Sequence, residues 1–272
     1  MTIPAVLLDV DTPAMQYIVG GVPLLTRHIL ELHRLGVTEF YLIGPTEIPQ
    51  AARHRRLPTD IVLQAVPCAP DADLSRQLNA LPASVQEVLV LWSQWLIDPR
   101  LLSALLAAPY PQWLPPGDTI LASPVAAARL SLGQVQSLDA TAPGPLLRES
   151  TRLDPTTLDT YSPTHRGPVA FRVQSIVTPD DAVAATKMLI TTARKTTMDV
   201  IASKLDTLFV NRLVFWLSYS RITPNQVTLA TGVLGAMVAL LFLSGWLRLG
   251  ALLTYAAATL DGVDGKLART TL

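Results

Sequence analysis

The chain has one cysteine, Cys68, among 272 residues. A single thiol excludes an internal disulfide and a cysteine-built zinc site, and Cys68 reads as a small buried or half-exposed residue. Charge is also scarce. Asp, Glu, Lys and Arg together make up 15% of the chain, against about a quarter in ordinary soluble domains. With a formal net charge of zero, no basic stripe is left to neutralise phosphates, so no nucleic-acid partner is expected. The histidines His28, His33, His54 and His165 show no i, i+4 or other ligand spacing, and none is assigned to catalysis. The first residues lack a basic stretch followed by an apolar core and a cleavage site. The expectation is therefore no signal peptide, with the front of the chain in the cytosol.

Half of the residues are hydrophobic, and their arrangement changes along the chain. Residues 5–9, Phe40 to Ile43, Asp60 to Val66 and Val85 to Trp92 read as strands. Leu24, Leu25, Ile29, Leu32 and Leu35 follow helical spacing, with Gly36 as the stop, and Leu101 to Ala107 forms a short helix after Asp98-Pro99. Strand and helix in alternation predict an α/β layer with a mainly parallel sheet. Residues 109–168, rich in Pro, Gly, Ser and Thr, predict loops and short strands. Residues 179–195, with Asp180 and Asp181 in the first turn, predict a helix that closes the soluble part.

Beyond residue 197 the character is that of a membrane protein. Residues 205–219 (LDTLFVNRLVFWLSY) predict an amphipathic helix on the bilayer surface. Val227 to Trp246 carries no charge over twenty residues, enough to cross the hydrocarbon core. Its Gly232, Gly235 and Ala236 give small surfaces for close helix packing, hence an expected homodimer through membrane helices. Leu249 to Leu260 continues apolar after a turn at 244–248 and returns to the starting side. Arg194, Lys195, Lys204, Arg212 and Arg221 precede the first span, Lys266 and Arg269 follow the second, and only Arg248 lies between. That asymmetry puts both ends in the cytoplasm. The predicted domains are 1–197, cytosolic; 198–221, juxtamembrane; and 222–272, the first two transmembrane helices.

The most informative residues come last: Asp261, Asp264, Gly265, Ala268 and Arg269. Carboxylates three residues apart lie on one helix face, and an acidic pair at membrane depth is costly unless it meets cations. Asp-x-x-Asp is a natural half-site for Mg²⁺ or Mn²⁺. Gly265 permits close approach of a ligand, and the Arg269 guanidinium suits phosphate.

The pattern D-x-x-D-G-x-x-A-R resembles the first half of the signature of the CDP-alcohol phosphotransferases. Ile222-Thr223-Pro224-Asn225-Gln226-Val227-Thr228 is similar to the opening of that family's first membrane helix, and Asn211-Arg212 to a juxtamembrane pair many members carry. The resemblance implies a six-helix membrane bundle in the cytoplasmic membrane, multi-pass, with a cytosolic front. In it an acceptor hydroxyl attacks the β-phosphorus of a CDP-alcohol and CMP leaves. By carry-over Asp261 and Asp264 bind Mg²⁺ or Mn²⁺, and Gly265, Ala268, Arg269, Asn225 and Thr228 contact the CDP group. The implied partners are the lipid bilayer, the CDP-alcohol and an acceptor alcohol. The family signature continues with G-x-x-x-D-x-x-x-D, including the base, and this chain stops at Leu272. It therefore contains no residue assigned as the base, and is expected to be a truncated or split product, inactive alone.

At the front, Gly20-Gly21-Val22-Pro23-Leu24-Leu25, Arg27, and Leu35-Gly36-Val37 with Glu39 are similar to nucleotidyltransferases that activate sugar or polyol phosphates. Some of these are fused to a CDP-alcohol phosphotransferase as inositol-phosphate cytidylyltransferases. Two departures imply a degenerate domain. The place of the glycine-rich phosphate loop reads Asp9 to Met15, without glycine or a basic residue, and the metal-binding aspartate falls on Gln94. Asp9 and Asp11 read as surface carboxylates. Two alternatives remain: a non-catalytic membrane-anchored nucleotide-binding or regulatory module, and a membrane-anchored cytidylyltransferase.

Overall fold

The structure is a computed structural model that describes residues 3–68, 78, 81–82, 84–108, 112–115, 125–131, 151–162, 167–193 and 209–271. It divides into two compact units, the first built from residues up to 17, 22–159 and 170–182, the second from 18–21, 160–169 and 183 onward. His165, Arg194, Lys195, Lys204 and the start of the predicted juxtamembrane helix lie outside the described residues.

In the first unit Ala5–Leu8 (β1) is followed by a helix, Leu24–Arg34 (α1), and three strands, Glu39–Gly44 (β2), Val62–Pro67 (β3) and Glu87–Trp92 (β4). Trp95–Ile97 (β5) leads into Pro99–Ala107 (α2), and Gln112–Leu114 (β6), Ala127–Ser131 (β7) and Thr151–Arg152 (β8) follow. One seven-stranded sheet has the order β8-β6-β7-β4-β1-β2-β3. Only β7 runs against the others, so the expected mainly parallel layer is present. β7 lies in the stretch read as loops and short strands.

β1 is an uninterrupted apolar run buried along its length, as a central parallel strand covered on both faces must be. Its alternate residues serve different faces: Val6 and Leu8 join Tyr41, Ile43, Val88 and Val90 in one cluster, while Ala5 and Leu7 turn the other way and are equally buried. α1 ends where Val37 N–H returns to the Leu32 carbonyl and Gly36 N–H to the His33 carbonyl. Gly36 takes the left-handed φ of 92° that this ending needs. The chain leaves β1 for β2 and β3 on one side, then crosses to β4 on the other. The switch point of the sheet, where α/β folds bind ligands, is at the carboxyl ends of β1 and β4. Val173–Ser175 (β9) pairs antiparallel with β5.

The second unit is mainly helical, with one short antiparallel pair, Tyr161–Ser162 and Gly167–Pro168. Pro179–Thr192 (α3) enters it at Val183, and Asn211–Ser218 (α4), Pro224–Leu243 (α5) and Leu247–Thr271 (α6) complete it. α5 starts sharply: the Thr223 side chain accepts from Gln226 N–H, the Gln226 side chain accepts from Thr223 N–H, and Pro224 occupies the first turn. Its 20 residues span about 30 Å. Only Val227 along it is buried, and Leu240 and Leu243 are 62% and 84% exposed.

Among the described residues α5 is the one helix long and apolar enough to cross a membrane. α6 is longer, but its apolar stretch runs only from Leu249 to Leu260, about 18 Å of helix. Arg248 lies before that stretch and the acidic motif after it. Two spans were expected from the sequence; by length and composition one helix qualifies.

Candidate functional site

The acidic motif lies wholly within α6. At 100° per residue Asp261, Asp264, Gly265 and Ala268 form one stripe, and Val263, Lys266, Leu267 and Thr270 form the opposite one. The second stripe is buried. Val263 and Leu267 pack with Ile190 of α3, Val210, Val214 and Leu217 at and along α4, and Val227 of α5. This packing fixes the rotation of α6 and turns the first stripe outward. Asp261 and Ala268 are exposed, and Asp264 and Gly265 half-buried.

The start of α5 meets this stripe. The Thr228 hydroxyl, one turn into α5, is 2.7 Å from Asp264 Oδ2 and 3.1 Å from the Pro224 carbonyl. The helix packing thus unites Thr228 with the acidic pair. Asn225 is exposed at the same helix start. Neither Asp261 nor Asp264 forms an ion pair with the described residues. Two carboxylates and a hydroxyl are an oxygen donor set of the kind Mg²⁺ and Mn²⁺ prefer, and the residues fit part of such a site. Among the described residues no group of three or more His, Cys, Asp or Glu side chains gathers anywhere.

Arg269 flanks the stripe, with its guanidinium 3.7 Å from where a Cβ on Gly265 would lie. Its Nε donates to the Ala193 carbonyl at 2.9 Å, which fixes the side chain at the margin of the stripe. The Arg269 fork suits phosphate, and the fold adds a carbonyl partner for its Nε.

Lys266 was missed as a site-supporting residue. It is 2% exposed, and its Nζ donates to Asn211 Oδ1 at 2.6 Å. An ammonium in an interface needs such an acceptor. Asn211, at the start of α4, supplies one and ties that helix to the back of the acidic motif. The available signal was the Asn-Arg pair together with the lysine directly after Asp264-Gly265.

The glycine pair has a helical setting too. Gly20 N–H donates to Thr186 Oγ1 at 3.0 Å, and Gly21 adopts φ 85° with a Cβ position only 2.6 Å from the Ser218 carbonyl. No side chain fits there. Within the second unit these glycines pack against helix residues.

In the first unit the switch point holds the residues that depart from the nucleotidyltransferase pattern. Asp9 adopts φ 56°, and its carbonyl accepts from Thr12 N–H at 3.3 Å and Thr12 Oγ1 at 3.0 Å. The place of a phosphate loop is thus a tight turn before the short helix Pro13–Gln16. Asp9 and Asp11 are exposed.

Across the switch point Ser93 is buried, with its N–H and hydroxyl both directed at the Leu8 carbonyl. The Gln94 carbonyl accepts from Ile176 N–H at 2.8 Å. His28 Nε2 lies 2.7 Å from the Ser93 carbonyl, so this nitrogen carries the proton. Burial pushes His28 down to about 4, and the ring is neutral near pH 7. Asp98 caps α2 and pairs with Arg100 at 2.9 Å and Arg172 at 3.9 Å. Arg27 is buried against Glu31 at 3.0 Å.

Residues 221–271, at the helical end of the chain, match the CDP-alcohol phosphatidyltransferase family. A curated relative, the "Bifunctional IPC transferase and DIPP synthase" of Thermococcus kodakarensis, is 38% identical over 95 residues. That stretch is 35% of this chain and 22% of the relative, so the chain spans about a fifth of its length. Among solved structures, a UDP-glucose pyrophosphorylase from Acinetobacter baumanii aligns with 78% of this chain and 100% of its own at 10% identity and a TM-score of 0.48. The 4-diphosphocytidyl-2C-methyl-D-erythritol synthase of Anaerococcus prevotii aligns with 69% and 98% at 13% identity and a TM-score of 0.46.

Proposed function

We propose that residues 222–272 belong to a membrane CDP-alcohol phosphotransferase domain, and that they contribute the CDP-binding part of its site. One observation carries this reading: the outward stripe of Asp261, Asp264, Gly265 and Ala268 meets Thr228 at the start of the exposed apolar helix α5. Match of the same residues to the CDP-alcohol phosphatidyltransferase family supports it.

In the proposed reaction an acceptor hydroxyl forms a new bond to the β-phosphorus of a CDP-alcohol. The P–O bond to the bridging oxygen breaks, CMP leaves with that oxygen, and the hydroxyl proton passes to a base that is none of the residues named here. Asp261 and Asp264 would hold Mg²⁺ or Mn²⁺, which when bound offsets the diphosphate charge. Thr228 orients the Asp264 carboxylate, Gly265 and Ala268 leave room beside it for the nucleotide, and Arg269 sets one margin.

The protein would sit in the cytoplasmic membrane, with residues 1–197 in the cytosol, 198–221 at the surface, and α5 and α6 both within the bilayer. Gly232, Gly235 and Ala236 give the helix face for a homodimer. The first unit serves as a nucleotidyltransferase-like domain without nucleotidyl transfer. In support, its switch point carries the Asp9–Thr12 turn in the place of a glycine-rich loop, next to the fastened Ser93–Gln94 corner.

The test is CMP release from a CDP-alcohol by membranes holding the complete gene product, with and without Mg²⁺ or Mn²⁺. Release should require the ion, and Asp261→Asn and Asp264→Asn should each abolish it while leaving membrane insertion intact. Activity that survives both substitutions would refute the assignment.

A further inference from the structure

We propose that the connection between β2 and β3 carries a phosphate-binding site, separate from the acidic motif and from the turn after β1. The short helix Gln50–Arg53 and the residues after it border an open surface depression of about 450 Å³. Its polar lining is Gln16, Gln50, Arg53, His54 and Arg55, and the remaining lining residues, Pro23 and Ala51, are apolar. No carboxylate among the described residues lines it.

The charge here is uncompensated. Arg53 and Arg55 border the depression as exposed residues, whereas the more buried arginines of this unit are ion-paired, Arg27 with Glu31, Arg129 with Glu87, and Arg100 and Arg172 with Asp98. Arg53 and Arg55 form no ion pair or hydrogen bond with the described residues. Two guanidinium groups on one depression, in a chain of zero net charge, call for an anion whose geometry their forks match. A phosphate group is that anion.

His54 adds a donor. Its Nδ1 accepts from Arg56 N–H at 3.3 Å, which leaves the proton of the neutral ring on Nε2. Burial first, then the charges of Arg56 and Arg55, hold His54 below its ordinary value, so the neutral ring is the relevant form near pH 7. The scaffold is anchored, because the buried Thr26 hydroxyl of α1 donates to the Ala51 carbonyl.

A soluble phosphate ester and a phospholipid headgroup offer the same chemistry, and the experiment separates them. The full chain in neutral detergent micelles is titrated with inorganic pyrophosphate in one arm. In the other, the micelles are doped with phosphatidic acid. Tryptophan fluorescence and calorimetry read the binding. The wild type should bind in at least one arm, more weakly at higher salt. The pair Arg53→Gln and Arg55→Gln should weaken that arm by about tenfold or more. Arg34→Gln, at the far end of α1, should leave it unchanged. Saturation by pyrophosphate would identify a soluble phosphate, and saturation only with phosphatidic acid a headgroup. Equal affinity of wild type and double variant in both arms, or no binding in either, would overturn the proposal.

Discussion

Thr228 and Asp264, 36 residues apart, share a 2.7 Å hydrogen bond that ties the first turns of α5 to the acidic motif of α6. The hydroxyl has one proton and two acceptors in reach, and the nearer is the carboxylate. Thr228→Val keeps the shape and removes the donor. In the complete gene product it should weaken Mn²⁺ binding by about tenfold, as removal of a ligand's supporting partner typically does. Thr228→Ser should restore it. Electron paramagnetic resonance of free Mn²⁺ measures this, and equal affinities for all three proteins would remove Thr228 from the site.

Lys266 and Asn211 make a second long-range bond at 2.6 Å. Asn211→Leu takes the amide acceptor from a buried ammonium, at a cost of about 1–3 kcal/mol. The expected readout is a lower thermal midpoint in micelles. Lys266→Met in the same background should recover much of the loss, because charge and acceptor then go together. A midpoint unmoved by Asn211→Leu would show the bond to be of no weight.

His28 makes stability depend on pH. Its folded value, about 4, lies below the ordinary 6.5, so the unfolded chain takes up a proton that the folded chain refuses. The stabilisation is complete above about pH 6.5, is lost as pH falls toward about 4, and changes no further below that. The shift is worth on the order of 3 kcal/mol. Denaturant titrations from pH 7 to 4 should show this fall, and His28→Asn should flatten it. A wild-type profile as flat as the variant's would contradict the buried neutral ring.

The exposure of α5 predicts that the full chain stays in the pellet after carbonate extraction. Leu229 and Val233, 70% and 62% exposed, would otherwise face water along most of the helix. Two arginines in their place should move the chain into the supernatant. Wild-type chain released by carbonate would remove the membrane reading.

Much of this was legible because the signals are local. The uncharged run from Val227 announces α5, the spacing of Asp261 and Asp264 fixes their common face, and the apolar run at residues 5–8 gives the central strand. Strand β7 was hidden in a stretch of mixed composition, since its pairing with β4 and β6 comes from distant residues. The same holds for the bonds of Lys266 and Arg269. Each is set by where a neighbouring helix places a carbonyl or amide, which no local pattern encodes. The glycine pair at 20–21 was read by resemblance alone, and its packing against Thr186 and Ser218 depends on two helices far along the chain.

The central claim is that the stripe of α6 and the start of α5 bind the CDP group. The most direct measurement is photo-crosslinking of the membrane-embedded complete gene product with an azido-CDP-alcohol in the presence of Mn²⁺, followed by peptide mapping. The account predicts adducts within 222–231 and 261–271 that disappear in Asp261→Asn and Asp264→Asn. Adducts confined to the first unit, or adducts at α6 that survive both substitutions, would contradict it.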